Sequence, residues 1–213
     1  MAAVLSKSYS GEDTFVETNK HWMEKLLPDA GFWQWPGAVH VAFVTGNWEL
    51  LLGYEKNKQA WDFFGGKVDA YLTRMEVSPA EAALRCLYRD AFVEELGLLP
   101  QDLNIEHMVF GYKRINNSLL LVVRTSRTFH LDRIKLNMET KLSERLPTCF
   151  QEMSDIKLVN LYHLNSVLLG QCTGYVQQEV DWIRDTYRGL RFDDLDIYNF
   201  AGFRKDPANS WFK

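Results

Sequence analysis

The chain is predicted to fold as an α/β domain with a mixed β-sheet, and three observations point there. Two segments, around residues 38–55 and 107–129, alternate apolar and polar residues on either side of a turn signal, which is the pattern of paired strands. Between them runs the best helical segment of the chain, Ser78–Leu96, and a second amphipathic helix follows near residues 176–190. Strands, helix, strands, helix is the order of a layered domain.

The elements are justified in order. Residues 1–20 are polar and weakly patterned and read as a loose arm. "HWMEKLLPDAGFWQWPG" reads as a short helix ended by Pro28, then an aromatic turn closed by Pro36 and Gly37. Val39, Val41 and Phe43 alternate with His40 and Ala42, Gly46-Asn47 marks a turn, and a strand resumes over Glu49–Tyr54. "QAWDFFGG" reads as another short strand, broken by Gly65-Gly66.

Ser78 is placed to N-cap the central helix, with Pro79 at the first helical position and Glu81 three residues after the cap. Gly97 ends it. Asn116-Asn117 is the turn of the second hairpin. "HLDRIKLNMETKLSERL" is a helix or a mobile loop, and "DIKLVNLYHL" is a strand. In the last helix Val176, Val180, Ile183 and Tyr187 form one stripe. Three regions result: an arm over 1–20, a domain over 21–190, and an aromatic tail over 191–213 that packs on the domain or meets a protein partner.

Composition narrows the function classes. The 213 residues are 46% hydrophobic and 24% charged, an ordinary globular balance that can bury a core without staples. The net charge of −4 argues against broad nucleic-acid binding, although Lys113, Arg114, Arg124, Arg127, Arg133 and Lys135 fall close together. Such a cluster is most simply a solvated face. Cys86, Cys149 and Cys172 are odd in number and far apart, which speaks against a disulfide framework or a zinc site. No leader and no long apolar run is evident, so the expectation is a cytoplasmic or nuclear protein with no membrane association.

The chemistry is concentrated in "WDFFGGKVDAYLTRMEVSPAEAALRCLYRDAFVEELGL". Gly65-Gly66 lets the backbone bend tightly and brings a carbonyl near a ligand. Asp90 and Glu94 are four apart and share one face of a helix, and Glu95 is turned by ~100° from Glu94. Arg89 can pair with a carboxylate or a phosphate. Clustered carboxylates repel unless a cation lies between them, and an all-oxygen set suits a hard divalent ion. An acidic helix end before a glycine is also a common solvated feature.

The acidic and paired-glycine start of this stretch, with "EELGL" closing its helix, resembles the Nudix hydrolase family. The interval from Gly66 to Gly97 is longer than the family's, and several registers compete. From the helix start, Arg85 takes the family's arginine and Cys86 falls on its first glutamate. From the helix end, Glu94 and Glu95 are the paired glutamates, but Asp90 and Ala91 replace Arg-Glu. A middle register aligns Glu81, Arg89 and Asp90, with Glu94 four residues on and one residue in excess before Gly97. A π-bulge would absorb that residue and bring Glu95 around as well.

The resemblance implies an α/β/α sandwich and a Mg²⁺- or Mn²⁺-dependent pyrophosphohydrolase acting on a nucleotide or another diphosphate-containing substrate. Candidates are ADP-ribose-like compounds, dinucleoside polyphosphates, inositol pyrophosphates and capped RNA. It implies Gly66, Asp90, Glu94 and Glu95 as metal ligands, and Arg89 as a catalytic residue beside these acids. Trp33, Trp35, Phe64 and Lys67 are the implied substrate contacts. Glu81 is a supporting acid, and Glu106, Glu139 and Glu152 are candidates for the general base. The alternative is a Nudix-like module without activity that binds or assembles.

Overall fold

The computed structural model describes residues 11–45, 47–69, 72, 77–97, 107–125, 131–143, 148–189 and 198–199. Helix α1 (Glu12–Asp29) leads into β1 (Ala38–Thr45), β2 (Glu49–Glu55), β3 (Ala60–Asp62) and β4 (Phe64–Lys67). Helix α2 (Pro79–Cys86) then runs without a break into a π-helical segment, Leu87–Leu96. Strands β5 (His107–Ile115) and β6 (Ser118–Thr125), helix α3 (Leu131–Ser143), a 3₁₀ turn (Thr148–Gln151) and β7 (Met153–Asn160) follow. Helices α4 (Ser166–Leu169) and α5 (Gly174–Gly189) and the two-residue strand β8 (Tyr198–Asn199) complete the described chain.

The sheet is mixed, as the sequence predicts. Its main path runs β3-β2-β1-β6-β5-β8, with β4 on β1 and β7 on β2. β1 pairs with β6 in parallel from Ala38↔Ser118 to Thr45↔Thr125. Its other edge is shared: Ala38–Val41 pair with β4, and Phe43 and Val44 pair with β2. The loan of half an edge to β4 places the Gly65-Gly66 bend against Val39 and His40, near the middle of the molecule.

Both faces of the sheet are covered, so its central strands are apolar on both sides. Val39, Val41 and Phe43 of β1 and Leu119, Leu121 and Val123 of β6 face one core, closed by α1, α2, the π-helical segment and α3. Ala42 and Val44, with Leu120 and Val122, face the other, closed by α5 through Val176, Val180 and Ile183. The period-two alternation of a strand sorts these side chains between the two cores.

From Glu12 the chain corrects the expectation of a loose arm followed by a short helix, while residues 1–10 of that expected arm lie outside the described residues. Helix is continuous from Glu12, and Phe15, Val16, Asn19, Trp22, Met23, Leu26 and Leu27 are buried along one face. Polar residues between those positions mask the helical spacing in the sequence. Pro28 does not end the helix but lies in its last turn. The stop is Gly31, at φ +80°, with Gly31 N–H donating to Pro28 O and Phe32 N–H to Leu27 O. That is a Schellman motif, which glycine adopts without steric penalty.

The central helix starts as expected. Ser78 Oγ accepts from Glu81 N–H at 3.2 Å, and Pro79 occupies the first turn. Gly97, at φ +66°, ends it. It is not α-helical throughout, since the half that carries Arg89, Asp90, Glu94 and Glu95 is π. Gly65 and Gly66 do not break a strand but lie within β4. Residues 131–143 are helix rather than loop. Most of the 191–213 tail lies outside the described residues, but Tyr198 and Asn199 pair with Val109 and Met108 at the edge of β5. Among the described residues, no helix is long and apolar enough to cross a membrane.

Candidate functional site

The π-helical segment packs directly over the bend in β4. Phe92 sits against Phe43 at 5.7 Å between ring centroids, and Phe15 of α1 meets Tyr88 at 5.3 Å and Phe92 at 6.0 Å. These apolar contacts fix the rotation of the segment and turn its acids towards Gly65 and Gly66.

Asp90 lies against Gly66 so closely that a Cβ added there would be 2.1 Å from Asp90 Oδ2. Glycine is therefore required for the carboxylate to reach the backbone. At the neighbouring residue, Gly65 N–H donates to Glu95 Oε2 at 2.6 Å. Gly65 has φ +123°, and a Cβ on it would lie 2.2 Å from Val39 O. Cys86, one turn before Asp90, is 3.4 Å from Asp90 Oδ2 and 3.3 Å from Gly66 O through its Sγ. The thiol thus bridges the helix and the bend.

Burial and like charge dominate the electrostatics. The Asp90 carboxyl is pushed up to about 7, chiefly by burial and then by Glu94, with Asp69 and Glu152 adding to the effect. Burial raises the Glu95 carboxyl well above the usual range, against the opposing pull of the Gly65 N–H. Burial and then the Asp90 charge push the Cys86 thiol up. The Glu152 carboxyl is raised by burial and by Glu55. A carboxyl held neutral by its neighbours regains its charge when a cation enters among them.

A cleft of about 470 Å³ opens over these groups, lined by Glu12, Asp69, Arg89, Asp90, Glu94 and Cys149. It collects three of the residues singled out from sequence: Arg89, Asp90 and Glu94. Glu95 is not in the lining. It is 6% exposed and braces the bend from beneath. Arg89 is turned to Glu12, whose carboxylate takes Arg89 Nε at 2.9 Å and Nη2 at 2.8 Å. Glu81 pairs with Arg85 at 3.1 Å and with Lys20 at 3.5 Å, which joins α1 to α2.

The expected substrate contacts are scattered. Phe64 is fully buried, 5.9 Å from Phe43, and its place in the core removes it from any surface a substrate could touch. Its position in β4, opposite Val41, aims it inward. Lys67 is exposed at the end of the same strand. Trp33 is 83% exposed, and Trp35 is half-buried. None of these four lines the cleft.

Among the general-base candidates, Glu139 is exposed on α3, Glu106 lies outside the described residues, and Glu152 is near enough to raise both Asp90 and Glu95. The basic cluster is partly neutralised: Lys113 bonds Glu179 at 2.7 Å, and Lys135 bonds Asp155 at 3.1 Å. Arg127 and the side chains of Arg124 and Arg133 lie outside the described residues.

Sequence reasoning missed Glu12, Asp69 and Cys149. Only Glu12 left a usable signal, as an acid just before the Phe15, Val16, Asn19, Trp22, Met23 and Leu26 spacing. Among the described residues no group of three or more His, Cys, Asp and Glu side chains is arranged to hold a metal ion. No protein-family model and no curated protein matches this chain.

Proposed function

We propose that the protein is a divalent-cation-dependent hydrolase of the Nudix type. It would cleave the pyrophosphate linkage of a nucleoside diphosphate, or of another diphosphate-containing compound, joined to a second moiety. One observation carries this reading: Asp90, which lies against the Gly66 bend, lines one cleft together with Glu94.

The donors fit a hard cation. Asp90, Glu94 and the Gly66 carbonyl offer oxygen only, and the Asp90 carboxyl is raised chiefly by burial and then by the neighbouring Glu94 charge. These three groups would hold Mg²⁺ or Mn²⁺. The ion would neutralise pyrophosphate charge and acidify a water. Arg89, in the cleft wall, would meet a phosphate oxygen. Glu152, whose carboxyl is raised by burial and by Glu55 and which acts on Asp90 and Glu95, is the group we assign to take a proton from the attacking water. Glu95 would act indirectly, by keeping the bend in place.

A second reading is a Nudix-like module that binds without hydrolysis. The commitment of Glu95 to a backbone N–H favours it, because of the three acids expected as ligands only Asp90 and Glu94 then line the cleft.

A Mn²⁺ titration of the thermal midpoint, run beside a panel of nucleoside-diphosphate compounds, separates the readings. At a hundredfold excess over Kd a specific ion stabilises by about 2.7 kcal/mol, which for a chain of this size raises the midpoint by about 5–10 °C. The hydrolase reading expects that rise, release of a phosphate-bearing product, and loss of both in Asp90→Asn. A wild-type protein with the rise and no product supports the binding module, and one with neither ends the cation reading.

A further inference from the structure

Cys86 is the last residue of α2, buried in the core that α2 and the π-helical segment close. It lies one turn before Asp90, and helical side chains four apart stand one above the other. Its thiol reaches two oxygens: Sγ is 3.3 Å from Gly66 O and 3.4 Å from Asp90 Oδ2. The same Oδ2 is the atom that a Cβ on Gly66 would meet at 2.1 Å. One oxygen of the carboxyl is thus set against the bend, between a thiol and a residue without a side chain, while Asp90 lines the cleft.

We infer that Cys86 is a positioning residue, whose thiol holds Asp90 Oδ2 and the Gly66 carbonyl together at the bend and so leaves Asp90 Oδ1 as the oxygen presented to a divalent cation. The inference rests on the cation reading above. The terminal torsion of an aspartate is broad and two-fold, so without a restraint either oxygen can lead. Groups that orient a ligating side chain by hydrogen bonding are typically worth about 10–100-fold in metal affinity.

A thiol suits this place. It has one hydrogen to donate and a sulfur that accepts weakly, so it can join two oxygens that would otherwise only repel. It brings no charge of its own, where Asp90 already faces the acids Glu94, Asp69 and Glu152. A carboxylate at position 86 would add one more like charge. The sulfur is also fixed in place, because its short side chain leaves a helix whose Ala80, Ala82, Ala83 and Leu84 are buried with it. Cys86 thus acts through Asp90 and Gly66 without touching the ion.

The test is Mn²⁺ affinity of the full chain, by calorimetry, with the metal-free thermal midpoint beside it, for wild type, Cys86→Ser and Cys86→Ala. Cys86→Ala is expected to bind Mn²⁺ about tenfold more weakly or worse. Cys86→Ser, whose hydroxyl also donates and accepts, should bind close to wild type. A merely structural role would lower the metal-free midpoints and leave the affinity of the folded protein unchanged, which overturns the inference with the cation reading intact. Serine as weak as alanine overturns it too, since the sulfur would then act by its volume or as a ligand. A wild type that binds no Mn²⁺ overturns both readings. Should either variant fail to fold, the S–H stretching band decides, recorded in a Cys149→Ser/Cys172→Ser protein where Cys86 is the one thiol left. A band that shifts as Mn²⁺ binds supports the inference, and a band that ignores Mn²⁺ overturns it.

Discussion

Asp90 and Glu95 are five residues apart, and both reach the same bend, Asp90 at Gly66 and Glu95 at the N–H of Gly65. In an α-helix a five-residue step turns a side chain well off the starting face. In the π-helical segment, where hydrogen bonds run from i to i+5, the two fall on one side. The wider turn is thus what lets one carboxylate close the cleft floor while the other braces the strand beneath it.

The brace should be measurable apart from any ligand. Glu95→Ala leaves the half-buried Gly65 N–H without its acceptor, and such a loss costs about 1–3 kcal/mol. Glu95→Gln keeps an acceptor oxygen in the same place and should unfold close to wild type. Urea unfolding of the two variants checks the difference. Equal destabilisation of both would mean that charge, not the hydrogen bond, is what matters.

Glycine substitutions should separate the bend from the acid. Gly66→Ala puts a methyl where Asp90 Oδ2 lies, so the carboxylate must leave and Mn²⁺ stabilisation should vanish. Gly65→Ala meets backbone instead of a side chain, at a φ of +123° that alanine avoids. It should cost more in stability than Gly66→Ala, by about 1–3 kcal/mol. Paired thermal melts with and without Mn²⁺ read both effects.

The Asp90 carboxyl gives a pH dependence of definite sign. It titrates near 7 in the fold and near 3.8 when free, so between those values the native state holds the extra proton. Stability contributed by this group is therefore complete below about pH 4 and is lost as pH rises to about 7. Asp90→Asn should flatten that part of the stability profile. Mn²⁺ should oppose the loss at neutral pH and do little at pH 4. An unchanged profile in Asp90→Asn would show that the group is not the one titrating.

The start of the central helix offers a local control. Ser78→Ala removes the acceptor of the Glu81 N–H and should cost about 0.5–2 kcal/mol. Mn²⁺ affinity should be untouched, because the cap is about three turns from Asp90. A change in affinity would mean that the α and π halves move together.

Where a signal acted over a few residues, it could be read from the chain. The strand alternation of Val39–Phe43, the Ser78-Pro79 start, the Gly97 stop and the Asn116-Asn117 turn all depend on near neighbours, and each is where the sequence puts it. The acids of the central helix and the paired glycines were also legible, since residue type alone marks them. What the tertiary structure alone decided is which of them meet. The Gly65–Glu95 bond spans 30 residues and the Glu12–Arg89 pair spans 77. Packing of Phe92 on Phe43 selects the rotation of the segment, and strand pairing sends Phe64 inward rather than to a ligand. Such contacts gain their energy only when distant segments are already together, so no local pattern records them.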